Sequence, residues 1–315
     1  MTAQWIRKAS LIIGDGEGAL DLSALHFAFT VSQSDINTPN RAEIRIYNVS
    51  DATAKRARDL EEGGTVVLSA GYDGNFGTIF QGTIIQVLVG KESPTDSFID
   101  IVAGDGDLGY CMAVVHKAMA AGATVRDRIG AALEALAEYG IKRGQIEQGL
   151  PEQPLPRGTV LHGMAREVLD DAVASSDATW WIQNGELHVV KGRAYLPGEA
   201  VVLTSKTGLV GLPVQSIDGI SMRCLLNPLI QPGRVIQIDN RSIQQTKFMP
   251  DMQSSVQFGF VPRLDADGYY RAIVVNHLGD SHGQDWYTEI VGVALDGPPI
   301  SNGLLEKGYS IPAGV

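Results

Sequence analysis

Phe80-Gln81-Gly82-Thr83-Ile84-Ile85-Gln86 lines up with Tyr270-Arg271-Ala272-Ile273-Val274-Val275-Asn276. Further along, Asp96-Ser97-Phe98-Ile99-Asp100-Ile101-Val102-Ala103 lines up with Asp285-Trp286-Tyr287-Thr288-Glu289-Ile290-Val291-Gly292, with one residue less between the blocks in the second copy. Upstream, Gly64-Thr65-Val66-Val67 answers Gly233-Arg234-Val235-Ile236, and an earlier apolar strand ends in Asn48 in one copy and Asn227 in the other. Strands repeated in one order mark a duplicated β unit. Two similar barrels in one chain let a threefold assembly imitate sixfold symmetry.

Around these blocks the first third reads as strands. Ala42, Ile44 and Ile46 alternate with Glu43, Arg45 and Tyr47, the period of a half-buried strand. Ser50 or Asp51 caps a short helix from 52 to 60, ended by Gly63-Gly64. Residues 65–72 form a strand, Asp73-Gly74-Asn75 a hairpin turn, 77–89 a long strand and 98–103 its return. Composition shifts after Gly104. Thr124 with Asp127 forms a capping box, Val125, Ile129, Leu133 and Leu136 recur at helical spacing, and Gly140 supplies the C-cap. Pro151, Pro154 and Pro156 stiffen a connector, and Leu161, Met164, Ala165, Val168 and Ala172 mark a second amphipathic helix. Trp180-Trp181-Ile182, Asn184-Gly185 and Leu187-His188-Val189-Val190 read as a hairpin. The second β unit begins near Ala200. Ile220, Met222 and Cys224 alternate there, and a short Pro-bearing loop replaces the capped helix of the first copy.

The expected fold is therefore mainly β: two related antiparallel β-barrel domains with an inserted α+β module. The expected divisions are 1–103 for the first barrel, 104–195 for the insert, 196–296 for the second barrel and 297–315 for an extended tail.

The chain has 315 residues, enough for two or three cores, with 44% hydrophobic and 19% charged residues. No apolar run reaches the roughly 18 residues of a membrane helix. The first residues carry no signal-peptide pattern, so the expected setting is a cytoplasm-like compartment until release. The formal charge is -11, with no basic stripe to neutralise phosphates, which disfavours direct nucleic-acid binding. Cys111 and Cys224 read as two buried thiols rather than a disulfide, and zinc would need further ligands.

His277, Asp280, His282 and Asp285 are the densest set of candidate metal ligands. The competing reading is a polar hairpin loop, since the matching Gly90-Lys91-Glu92-Ser93 has no His. Asp265-Ala266-Asp267-Gly268 begins like a calcium loop but lacks the remaining acidic positions, and a β-turn accounts for it. Gly104-Asp105-Gly106-Asp107 and Gly14-Asp15-Gly16-Glu17-Gly18 place carboxylates that would suit glycoside hydrolysis, although turn chemistry explains both runs. Gly90-Lys91 lacks the rest of a phosphate loop. Trp180-Trp181 can stack on a sugar or a base. Adjacent strand residues point to opposite faces, so one is expected in the core and the other at an interface or surface. No catalytic, cofactor or metal residue is assigned.

Arg45-Ile46-Tyr47-Asn48-Val49-Ser50, Gly71-Tyr72 followed by Gly77-Thr78-Ile79-Phe80-Gln81-Gly82, and Cys224-Leu225-Leu226-Asn227-Pro228 with Pro232-Gly233-Arg234-Val235 resemble the baseplate hub proteins of tailed phages. The resemblance runs from about residue 4 to about 296 and rests on the order and spacing of turn and strand signatures. It implies barrels of the tail-tube type and a homotrimer whose six barrels meet a hexameric tube ring. It also implies an α+β part, here about 104–195, facing a central spike made by a separate polypeptide. The implied partners are the tail tube protein, the spike and other baseplate proteins. The implied place is the virion tail, assembled in the host cytoplasm, with a channel left for DNA and no cofactor. Competing expectations are a peptidoglycan hydrolase using Asp105 or Asp107, a glycan-binding module using Trp180 or Trp181, and the hub of a related contractile injection device.

Overall fold

A computed structural model describes residues 6–14, 18–60, 63–147, 149–192, 194–216, 219–239, 243–245 and 268–295. The carboxylates of 15–17, the calcium-like start at 265–267 and the tail 297–315 lie outside the described residues.

The chain is mainly antiparallel β, with a sheet curled as a half-barrel and few helices. In the first unit, β1 (Arg7–Ile13), β2 (Leu20–Asp21), β3 (Phe27–Ser34) and β4 (Arg41–Tyr47) lead into α1 (Asp51–Asp59). Ala42, Ile44 and Ile46 of β4 are buried as their alternation requires. The Ser50 hydroxyl caps α1 by accepting the Thr53 N–H at 3.2 Å. Strand β5 (Thr65–Tyr72) turns at Asp73-Gly74 into β6 (Asn75–Lys91), and β7 (Ser97–Gly104) returns. These strands enclose one apolar core that includes Phe27, Ile44, Leu68, Phe80 and Ile101.

The insert holds α2 (Asp107–Met112), β8 (Val114–Met119), α3 (Val125–Ala137), β9 (Lys142–Ile146), β10 (Thr159–Met164), α4 (Ala165–Ala174), β11 (Ala178–Gln183) and β12 (Glu186–Lys191). The Thr124–Asp127 capping box starts α3. Its C-cap residue is Glu138, not Gly140. Gly140 lies two positions further on at φ +81°, where it lets the chain reverse so that Ile141 N–H reaches Leu136 O at 3.3 Å. Leu161 and Met164 belong to β10, which pairs antiparallel with β8, and the helix begins only at Ala165. A short strand whose partner residues lie 40 (Thr159 to Met119) to 50 (Met164 to Val114) positions away leaves little local trace, so its apolar residues read as the first turn of the helix. Asn184 at φ 50° and Gly185 at φ 76° make the tight turn between β11 and β12. The insert has its own core, with Ile129, Leu136, Leu169, Trp180 and Leu187.

The second unit follows with β13 (Val201–Leu203), β14 (Leu209–Ser216), β15 (Gly219–Leu225), β16 (Val235–Ile238), β17 (Gln244–Gln245), β18 (Tyr269–Asp280) and β19 (Trp286–Ala294). One 14-stranded sheet runs β17-β14-β15-β19-β18-β3-β4-β7-β6-β5-β1-β2, with β16 paired to β18 and β13 to β16. Within it, β3-β4-β7-β6-β5 and β14-β15-β19-β18-β16 have the same order, and every neighbouring pair in both is antiparallel. The flank differs: β1 joins β5 antiparallel, whereas β13 joins β16 parallel.

The hairpins carrying Ile84 and Val274 thus share one topology, but their residues correspond differently from the sequence alignment. Each hairpin has one bulge: Ile85, opposite Ala103 and Val102, and Ile273, opposite Gly292 and Val291. Matching the bulges pairs Ile84 with Ala272 and Gln86 with Val274, a slide of two residues along β18. The intervening loop is then one residue longer in the second copy, not shorter. Gly64 corresponds to Arg234, and Asn48 to Leu226. Strand side chains repeat with period two, so a slide of two leaves the apolar pattern in phase and the pattern alone cannot fix the register.

Candidate functional site: the joint of sheet and insert

The second block needs no slide, and it carries a repeated cluster. Arg45 of β4 donates through Nε and Nη2 to Asp100 of β7 at 2.7 and 2.8 Å, and its guanidinium lies 4.3 Å from the centre of the Phe98 ring. Arg223 of β15 donates to Glu289 of β19 at 3.0 and 2.7 Å and lies 4.9 Å from the centre of Tyr287. Register places Arg45 opposite Asp100 and Arg223 opposite Glu289. The same Arg–carboxylate–aromatic set therefore sits at equivalent points of both units.

Three connections lock the units to the insert. Arg271 of β18 donates to Asp35, just beyond β3, at 2.7 Å, and to the carbonyls of Gly192 and Ala194 at 3.0 and 2.8 Å. One guanidinium thus ties the second unit, the first unit and the end of the insert. Burial raises the Asp35 pKa above the ordinary carboxylate value, with the Arg271 charge and hydrogen bond pulling the other way.

Asp105 follows β7 and is fully buried. Its N–H donates to Asn40 O at 2.9 Å, and its carboxylate accepts the N–H groups of Asn184 and of Gly185, the latter at 2.9 Å. Asn40 in turn donates to Ile182 O at 2.9 Å. The sheet thereby holds the β11–β12 turn of the insert. Burial pushes the Asp105 carboxyl up to about 7, against the lowering effect of those donors.

Asp170 of α4 forms the third connection, accepting from Trp180 Nε1 at 2.7 Å and from Asn37 Nδ2 at 2.9 Å. Trp180 and Trp181 do lie on opposite faces, but both are buried, Trp180 in the insert core and Trp181 with Val190 and Leu196. The surface expected for one of them is covered by the chain returning to the second unit. Trp181 stacks on His188 and meets Gly233, where a Cβ would lie 2.9 Å from the indole. Gly233 is at φ +79°, so both the turn and the close approach call for glycine there. Burial first, and the Arg234 charge second, lower the His188 pKa to about 4.

The remaining candidates separate. His277 is buried and shares a 2.9 Å hydrogen bond with Thr288, and burial lowers its pKa to about 3. Asp280 bonds to His26 at 2.8 Å and accepts the N–H groups of His282 and Gly283, as a polar hairpin loop does. Among the described residues no group of three or more His, Cys, Asp or Glu is placed to hold a metal. Asp107 lies in the first turn of α2, away from the bonds that engage Asp105. Cys224 is buried, and burial pushes its thiol up to about 12, but Cys111 is exposed, contrary to expectation. It sits on a six-residue helix that turns Gly109 and Tyr110 to the insert core and leaves Cys111 outside it. Among the described residues, no helix is long and apolar enough to cross a membrane. Sequence reading missed Asp35, Arg271 and Asp170, because their partners lie far away along the chain.

No protein-family model and no curated protein sequence matches the chain. Solved structures do. The 43 kDa tail protein of prophage MuSo2 from Shewanella oneidensis matches with a TM-score of 0.59 at 7% identity, over 92% of this chain and 99% of that one. A tail protein from Neisseria meningitidis matches with a TM-score of 0.57 at 10% identity, over 90% of this chain and 96% of that one. An E. coli component of the type VI secretion system, described as similar to T4 bacteriophage tail proteins, gives 0.52 at 12% identity, over 88% and 76%. The chain therefore has the fold of phage tail proteins and of their type VI secretion counterparts, and the resemblance read from the sequence holds at the level of the fold.

Proposed function

We propose that this chain is a structural baseplate hub of a phage tail. It is a homotrimer that adapts the sixfold tail tube to the threefold central spike and leaves a channel for DNA. The observation that carries this reading is the doubled β unit: one strand order, one bulge position and one Arg–carboxylate–aromatic cluster, each present twice. Three such chains offer six similar faces to a sixfold ring. Residues 1–103 and 196–296 form the two ring units. Residues 104–195 form the part turned toward the spike, and their separate apolar core supports that division. The partners are a second and third copy, the tube protein, the spike and other baseplate proteins, in the virion tail after assembly in the host cytoplasm. The hub of a related contractile injection device is the same role in another machine, and the likeness to a type VI secretion component favours keeping it.

The role is non-enzymatic and needs no cofactor. The engaged carboxylate of Asp105 and the buried rings of Trp180 and Trp181 argue against the hydrolase and glycan-binding alternatives. Native mass spectrometry of the purified chain, alone and with a spike protein, tests the reading: three copies, or a multiple of three, are expected. A strict monomer under both conditions would overturn it.

A further inference from the structure

Strands β8 and β10 form a two-stranded sheet of their own within the insert. Val115 and Leu161 point from it into the insert core. By strand alternation the opposite face carries Val114, His116 and Ala118 from β8 and Val160, His162 and Met164 from β10. His116 and His162 stand directly opposite each other in the register. Ala165 N–H donates to Ala113 O at 2.8 Å, in line with that register. Hydrogen-bonded and non-hydrogen-bonded pairs alternate along an antiparallel ladder, so His162 and His116 fall at a non-hydrogen-bonded pair. Such pairs bring side chains closest, with Cα atoms about 4.5 Å apart.

Both imidazoles are exposed, and their ring centres lie 5.2 Å apart with the planes at 78°. Among the described residues, neither ring makes a hydrogen bond or an ion pair. The other four histidines are all engaged: His26 with Asp280, His188 with the Gln145 N–H, His277 with Thr288 and His282 with Ser281. The spacing of the free pair suits one shared ion. A metal–imidazole bond of about 2.0–2.1 Å puts each ring centre about 3.2 Å from the ion, and ligand angles of about 90–109° then separate the centres by about 4.5–5.2 Å. The face holds no carboxylate that would favour a hard cation. The nearest lysine in sequence, Lys117, belongs to the other face by its parity and donates to Glu134 of α3 at 2.6 Å.

We propose that His116 and His162 form a two-imidazole site for a divalent transition cation of the zinc, copper and nickel class, the ions that imidazole nitrogen suits. Water fills the remaining coordination positions, because the flanking Val114, Ala118 and Val160 offer no nitrogen or oxygen side-chain donor. A two-stranded sheet is marginal by itself. A cation across it fastens β8 to β10, the strands that lead into α3 and α4. The ion is a staple and takes no part in chemistry. The site belongs to the single chain and stands whether or not three copies assemble.

Titration calorimetry of the untagged, metal-free full chain tests the site, with Zn²⁺ and Cu²⁺ as the probes. A Cys111→Ser background removes the exposed thiol as a rival ligand. One ion per chain is expected. His116→Ala and His162→Ala should each weaken binding by about tenfold or more, while His282→Ala, at another exposed imidazole, should leave it unchanged. Both substituted positions are exposed, so the metal-free melting temperature should hold, and Zn²⁺ should raise it in the parent but not in the two variants. Copper on the parent should show electron paramagnetic resonance splitting from two imidazole nitrogens, and each variant should lose it. No binding of either ion at about 1 mM, or binding that survives both substitutions, would overturn the site and leave a plain edge-to-face ring contact.

Discussion

Arg271 and Asp35 form a 2.7 Å ion pair across 236 residues of chain, with 13% and 2% of their side chains exposed. The pair sits where β18, the end of β3 and the exit of the insert converge. Removing one member of a buried pair leaves an uncompensated charge, which typically costs about 3–5 kcal/mol. Arg271→Met should therefore lower the denaturant midpoint sharply, and Asp35→Asn should recover part of that loss in the double variant. Urea unfolding of the single and double variants measures both.

The two Arg–carboxylate clusters should behave alike. Both pairs are partly exposed, so double-mutant cycles should give a coupling of about 0.5–1 kcal/mol for Arg45–Asp100 and for Arg223–Glu289, weakening with added salt. A large coupling in one unit and none in the other would contradict their equivalence.

Stability should depend on pH through buried groups of opposite sign. His277 and His188 titrate near 3 and 4 when folded, below the ordinary imidazole value of about 6.5, so their contribution is present above that value and lost as the pH falls. Asp105 titrates near 7 when folded, above its unfolded value of about 3.9, so its contribution is present at low pH and lost as the pH rises toward 7. Between about pH 4 and 6.5 the two histidines destabilise the fold on acidification, while Asp105 and Asp35, both raised by burial, oppose that loss. Asp105→Asn should steepen that loss and His277→Asn should make it shallower. Urea midpoints at pH 5 and pH 7 decide it.

Gly233→Ala should destabilise the chain by about 1–3 kcal/mol, because the new Cβ meets both a left-handed φ and the Trp181 indole. Thermal melting measures the cost, and Trp fluorescence should report the displaced indole.

Much of the fold was legible where the signal is local. The Thr124–Asp127 box, the Asn184-Gly185 turn and the alternation of Ala42, Ile44 and Ile46 each lie within a few residues, and the structure places them as read. Strands β8 and β10 were not legible, because six-residue strands paired across the insert carry no periodicity of their own. The repeat was visible through its apolar pattern, yet its register was not, because a slide of two residues preserves the pattern. The bulges at Ile85 and Ile273 fix that register, since each marks one point of its strand whatever the apolar pattern. The joint of Asp35, Arg271 and Asp105 was illegible for the same reason as β8 and β10: its meaning lies in partners distant along the chain.

The account stands or falls on whether three chains close into a ring of six similar units. End-on electron-microscopy averages of the assembled protein measure this directly. The account predicts a threefold particle with six nearly equivalent lobes around a central opening; a particle with two, four or five chains, or one whose lobes do not alternate between the two units, would contradict it.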